Sequence, residues 1–149
     1  MRKIFLSLLV LVTLSSIAQD LPKNYASLLK EVEPELIAWR RHFHEFPELS
    51  NREVNTGKYI ADFLKTLPNL EVRYPVAKTG VVAVLKGGKP GAVIALRADI
   101  DALPVYERVA IPFASKVTTE FNGQKVSVMH ACGHDSHTAM LMATAKMLS

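Results

Sequence analysis

The chain has 149 residues, 49% of them apolar and 21% charged, enough to bury the core of one ordinary globular domain. That composition excludes a disordered or collagen-like chain. The formal charge of +4 comes from scattered Lys and Arg without interleaved aromatics, which argues against a nucleic-acid partner and against a polybasic membrane patch.

The first predicted element is a leader. Met1-Arg2-Lys3 is positive, IFLSLLVLVTL is an apolar run of eleven, and Ser16-Ile17-Ala18 is a small-x-small cleavage site. The run is shorter than the roughly 18 to 20 apolar residues of a membrane span, and no stop-transfer charges follow it. Residues 1–18 therefore read as a secretory signal peptide, with export to the periplasm or the exterior and no stable membrane anchor after cleavage. Loss of Arg2 and Lys3 lowers the net charge from +4 to +2. A lipoprotein is not indicated, because no cysteine follows the run. The single cysteine, Cys132, cannot close an internal disulfide in an oxidising compartment, which leaves a free thiol, an intermolecular link or a ligand.

From Ser27 onward the period is helical. Leu29, Val32, Leu36, Trp39 and Phe43 recur at three- and four-residue steps, and Pro47 closes this first helix. A second is predicted from near Ser50, where S-N-R-E has the form of a capping box, with Val54, Tyr59, Ile60, Phe63, Leu64 and Leu67 for burial. Pro68-Asn69 ends it. LEVRYPV, TGVVAVLKGG, AVIALRADID and KVSVMHA then read as strands, with KGGKPGA as a turn. GVVAVL and AVIAL are apolar on both faces, as in the interior of a helix-covered sheet. SHTAMLMATAKML returns to helical composition. The order predicts a layered α/β or α+β domain over residues 19–149. The sequence stops at Ser149 within or just after this helix, so it reads as part of a longer chain.

Three clusters carry chemistry. In VMHACGHDSHTAM, residues 128–140, a strand end, a turn relaxed by Gly133 and a helix start bring together His130, Cys132, His134, Asp135 and His137. Thiolate with imidazole favours a transition metal, and the likeliest ligands by this reading are Cys132 and His134. The plainer alternative has His134 or Asp135 capping the helix, His137 on its surface and Cys132 as a small buried residue. In LRADIDALP, a strand would turn Asp99 and Asp101 to the same side, a repulsion relieved by a cation, by Arg97, or by one carboxylate orienting a histidine. In RRHFHEFPELS, helical spacing places His44 and Glu48 on one face, alongside His42 and Glu45, for which a structural hydrogen-bonding role outweighs a metal role.

R-R-x-x-H-x-x-P-E-L-S, L-R-A-D-x-D-A-L-P and M-H-A-C-G-H-D-x-H-T-A-M-L, in that order, resemble the amidohydrolase subfamily of the M20 metallopeptidases. It includes hippurate hydrolases, N-acyl-amino-acid amidohydrolases and auxin-conjugate hydrolases. The resemblance covers roughly Leu36 to Leu148. It implies the amino-terminal part of a mixed-sheet, helix-covered, zinc-peptidase-like domain, truncated before a lid and dimerisation domain. It further implies a hydrolase with two divalent ions, zinc, manganese, nickel or cobalt, that removes an acyl group from the nitrogen of a small N-acyl amino acid. By resemblance Cys132 and His134 are metal ligands and Asp101 orients a metal-bound histidine. Asp99 stands where an H-x-D relative has its histidine, and Ser136 replaces the commoner glycine of C-G-H-D-G-H. The Glu-Glu pair and further histidines that the resemblance calls for would lie downstream, together with a homo-oligomer interface. Two rivals remain: a non-catalytic metal-binding remnant, and a thiol hydrolase with Cys132 as nucleophile, His134 or His137 as base and Asp99 or Asp101 as orienter.

Overall fold

A computed structural model describes residues 24–149, so the predicted leader lies outside the described residues. The chain forms α1 (Tyr25–Glu45), α2 (Val54–Leu64), β1 (Leu70–Val76), β2 (Gly80–Leu85), β3 (Thr118–Phe121), β4 (Gln124–Ser127) and α3 (His134–Leu148). Among these residues no helix is long and apolar enough to cross a membrane.

The predicted apolar spacing builds the core. Val32, Trp39 and Phe43 of α1 meet Ile60 and Leu64 of α2 and Ala139, Met142 and Ala143 of α3, all buried. Each large member stabilises the fold by roughly 1.5 to 3 kcal/mol through apolar burial. Trp39 and Phe63 bring their ring centroids to 4.5 Å. Two expected core residues face out instead, Leu29 at 42% and Val54 at 57% exposure, because each sits in the first turn or two of its helix beyond the reach of a partner.

Ser50 does not cap α2. Glu48 does, accepting hydrogen bonds from the backbone N–H of Asn55 at 3.2 Å and of Thr56 at 2.8 Å, and from the Thr56 hydroxyl at 2.8 Å. A carboxylate there also meets the positive end of the helix dipole. Glu53, the expected reciprocal partner, accepts instead from Asn51 N–H and the Thr79 hydroxyl. The helix then lies hard against the first hairpin: a Cβ at Gly57 would come within 2.4 Å of the Thr79 carbonyl.

The strands form two separate antiparallel hairpins, β1 with β2 and β3 with β4. β3 has no counterpart in the predicted strands, and KVSVMHA belongs to the hairpin only through Ser127, with Met129 then bridging to Leu103. The larger departure is AVIALRADID. Residues 92–100 are not a strand, and Val93 and Ile94 are 99% and 81% exposed. A strand needs a neighbour to take its N–H and C=O groups, and no described strand pairs with this segment, whose one such contact among the described residues is the Thr138 hydroxyl on the Asp99 carbonyl at 3.1 Å. β2 is likewise no sheet interior, with Val82 and Val84 exposed.

Order returns at Asp101. Ala102 N–H donates to the Glu48 carbonyl at 2.7 Å, and Leu103 exchanges two 3.0 Å backbone bonds with Met129. Leu49, Ala102 and Val128 bury together at this crossing, which brings the LRADIDALP and HACGHD segments side by side.

Candidate metal centre

The turn into α3 is made by Gly133, whose φ of +83° lies in the left-handed region that residues with a Cβ rarely adopt. On either side of it stand Cys132, an exposed free thiol, and His134, the first residue of the helix. His134 Nδ1–H donates to the Asp101 backbone carbonyl at 2.9 Å and to Asp101 Oδ1 at 3.0 Å. With the proton fixed on Nδ1, the lone pair sits on Nε2, which no described residue engages. A histidine prepared in this way, two residues from an exposed thiol, suits a borderline-soft divalent cation. Among the described residues no group of three or more His, Cys, Asp or Glu side chains converges as a cation site. Cys132 and His134 thus fit as part of a coordination sphere.

The two carboxylates of LRADIDALP part company. Because residues 92–100 are not a strand, nothing holds Asp99 and Asp101 to one side. Arg97 reaches back to Asp99 Oδ1 through Nη2 at 2.6 Å and Nε at 3.1 Å, and that pairing holds the Asp99 carboxyl below its usual range. Asp99 is 48% exposed on its side chain, so the pair contributes little to stability. Asp101 bonds directly to His134, while the Asp99 carboxylate stays close enough to His134 and His137 for both to help lower it.

For the thiol-hydrolase alternative, no hydrogen bond joins Cys132 to His134 or His137 among the described residues, and Asp101 holds the His134 nitrogen that would need to turn. His137 is exposed, with its ring centroid 6.0 Å from that of His134. Asp135 is not a cap for that helix, whose cap residue is Gly133.

The most buried polar structure was not legible in the sequence. Asp135, 1% exposed, accepts from Arg40 Nε at 2.9 Å and His44 Nδ1 at 2.8 Å on Oδ2, and from Ser136 N–H at 2.9 Å on Oδ1. The other His44 nitrogen, Nε2, lies 2.8 Å from Glu107 Oε2. Glu107 Oε1 accepts the Val109 N–H, which more than any other contact holds this carboxyl below its ordinary range, with His44 adding to the effect. His44 therefore pairs with Asp135 and Glu107, while Glu48 serves α2. Phe113 lies against the same patch, 5.2 Å from both the Arg40 and Arg41 guanidiniums. The only sequence signal was that Arg40 and His44, one helical turn apart, share a face with Phe43.

His130 is also buried, and neither ring nitrogen has a hydrogen-bond partner. Burial pushes its imidazole down to about 4, against an upward pull from Asp135.

Residues 95–149 match the Peptidase family M20/M25/M40. An N-acyl-L-amino acid amidohydrolase of Geobacillus stearothermophilus is 48% identical over 122 residues, 82% of this chain and 30% of the relative. An N-acetylcysteine deacetylase of Bacillus subtilis (strain 168) is 49% identical over 114 residues, 76% of this chain and 28% of the relative. The crystal structure of the Bacillus subtilis YXEP protein, a dinuclear metal binding peptidase from the M20 family, superposes with a TM-score of 0.69 at 48% identity, covering 80% of this chain and 31% of that one. The chain spans about 30% of the length of these relatives. On motif, fold and identity together, the chain is similar to the corresponding third of members of peptidase family M20/M25/M40.

Proposed function

We propose that this chain supplies Cys132 and His134 as ligands, and Asp101 as the residue that orients His134, in a two-metal hydrolase acting on the amide bond of N-acyl amino acids or similar small conjugates. The observation that carries this reading is the His134 ring, fixed by Asp101 with Nε2 open on the turn that also bears the exposed Cys132. The amidohydrolase and deacetylase relatives support the substrate class. Two divalent cations, when bound, supply Lewis-acid polarisation of the amide carbonyl and lower the pKa of water. The residues of this chain hold the thiolate and imidazole in place. A polypeptide holding only these residues, with two ligands and no carboxylate placed as a base, would bind a cation without turnover. We further propose export, with cleavage after Ala18 leaving residues 19–149 as the amino-terminal part of the catalytic domain, and a homo-oligomer in the longer protein.

The test uses the protein that carries this chain, stripped of metal and reloaded in turn with zinc, manganese, nickel or cobalt. Free amino acid released from N-acetyl and N-benzoyl amino acids is the readout. Metal-dependent release is expected, abolished by Cys132→Ala and His134→Ala and reduced about 10- to 100-fold by Asp101→Ala, the usual loss when a ligand's orienting partner is removed. Turnover that survives a chelator but not a thiol alkylating agent would point instead to the thiol hydrolase.

A further inference from the structure

Apart from the bonds of His134 to Asp101 and of Ala131 N–H to the Met129 carbonyl, the turn that carries the candidate ligands has little of its own to fix it. Ala131 and Cys132 are exposed, Gly133 has a left-handed backbone, and no side chain caps α3. What ties it down is Asp135, whose carboxylate is buried against α1 under Arg40 and His44. Asp135 accepts from Arg40 and Ser136 and lies 2.8 Å from His44 Nδ1, while Glu107 lies 2.8 Å from Nε2 on the far side of the ring. Arg40, His44, Asp135 and Glu107 form a quartet in which each His44 nitrogen faces a carboxylate oxygen.

A buried ionic cluster is weak as a source of stability, since apolar residues of the same volume often do as well or better. Its geometric consequence is stronger. Glu107 follows Asp101 by six residues in the segment that crosses Met129, and Asp135 follows His134 directly. The contacts close a circuit: Asp101 to His134 by hydrogen bond, His134 to Asp135 by the chain, Asp135 to His44 and His44 to Glu107 by hydrogen bonds, and Glu107 back to Asp101 by the chain. A ring held at both ends of such a circuit cannot turn without breaking a buried bond.

We propose that Arg40, His44 and Glu107 act as a clamp that fixes the amino-terminal turn of α3 and so aims His134, which makes His44 a positioning residue of the metal centre. The inference rests on the metal-hydrolase reading above. The experiment titrates Co²⁺ into the metal-free protein that carries this chain and records the thiolate charge-transfer band, the visible ligand-field bands and the affinity, with thermal unfolding measured in parallel. If the unmodified protein shows no thiolate band, or Cys132→Ser leaves it intact, the metal reading itself fails. Given that band, His44→Gln is expected to weaken Co²⁺ binding about 10- to 100-fold and to shift the ligand-field bands. A residue that only supports the fold would lower the unfolding temperature and leave affinity and spectrum unchanged, which overturns the proposal. Should His44→Gln not fold, Glu107→Gln opens the circuit on the loop side, and a Co²⁺ affinity within twofold of the parent would overturn it equally.

Discussion

Cys132 and His134 lie two residues apart on one turn and are held in opposite ways. His134 is gripped through its ring by Asp101 and through its neighbour Asp135 by α1, whereas Cys132 projects from an exposed turn with no partner among the described residues. One candidate ligand is placed before any cation arrives and the other is left to follow it. Preorganisation on one side only means that stability and metal binding should separate by residue: changes on the His134 side should disturb both, and changes at Cys132 only the second.

The sharpest way to break that contrast is Asp135→Ala. It removes the acceptor that Arg40 and His44 Nδ1 share, leaving His44 held by Glu107 alone, and removing one partner of a buried ion pair costs about 3 to 5 kcal/mol. Thermal or denaturant unfolding of the metal-free protein should show a loss of that size. A change below 1 kcal/mol would mean that the quartet rearranges freely and that the His134 side is no better fixed than Cys132.

The next effect is a pH dependence from His130. Folding holds its imidazole near 4, and the unfolded chain returns it to about 6.5. Between those values the unfolded state takes up a proton that the folded state refuses, so the unfolded state binds more protons and stability falls as pH drops through the window. In the metal-free protein, unfolding free energy measured from pH 7 down to pH 4 should decline, and His130→Phe should flatten the slope. An unchanged slope in the variant would show that the buried ring finds a proton acceptor in solution.

How much of this was visible beforehand follows the range of the interactions. The helices were legible because Val32, Trp39 and Phe43 repeat within one turn or two, and the turn bearing Cys132 and His134 because C-x-H with an intervening glycine is local. The quartet was not, since 91 residues separate His44 from Asp135 and 63 separate it from Glu107. A histidine beside two arginines says nothing about a carboxylate that far along the chain. The misplaced strand has the same cause: AVIALRADID has strand composition, but a ladder is a property of two segments, and composition reports one. The Ser50 capping box failed for a nearer reason, because Glu48, two residues upstream, offers a charged acceptor to the same N–H groups.

The smallest expected effect is the one that separates the two candidate ligands most cleanly. Cys132→Ser removes an exposed thiol with no hydrogen-bond partner among the described residues, so unfolding free energy should stay within about 0.5 kcal/mol of the parent, as for surface substitutions generally. The thiol should also react with a disulfide reagent in the native metal-free protein as fast as in the unfolded chain, since no burial shields it. Loaded metal should then protect it, because a coordinated thiolate is withdrawn from exchange. If native Cys132 is already slow to react without metal, it is held by something other than a cation, and the contrast between a fixed histidine and a free thiol is lost. If it reacts quickly and metal slows it, the free half of the turn is the half that closes on the ion.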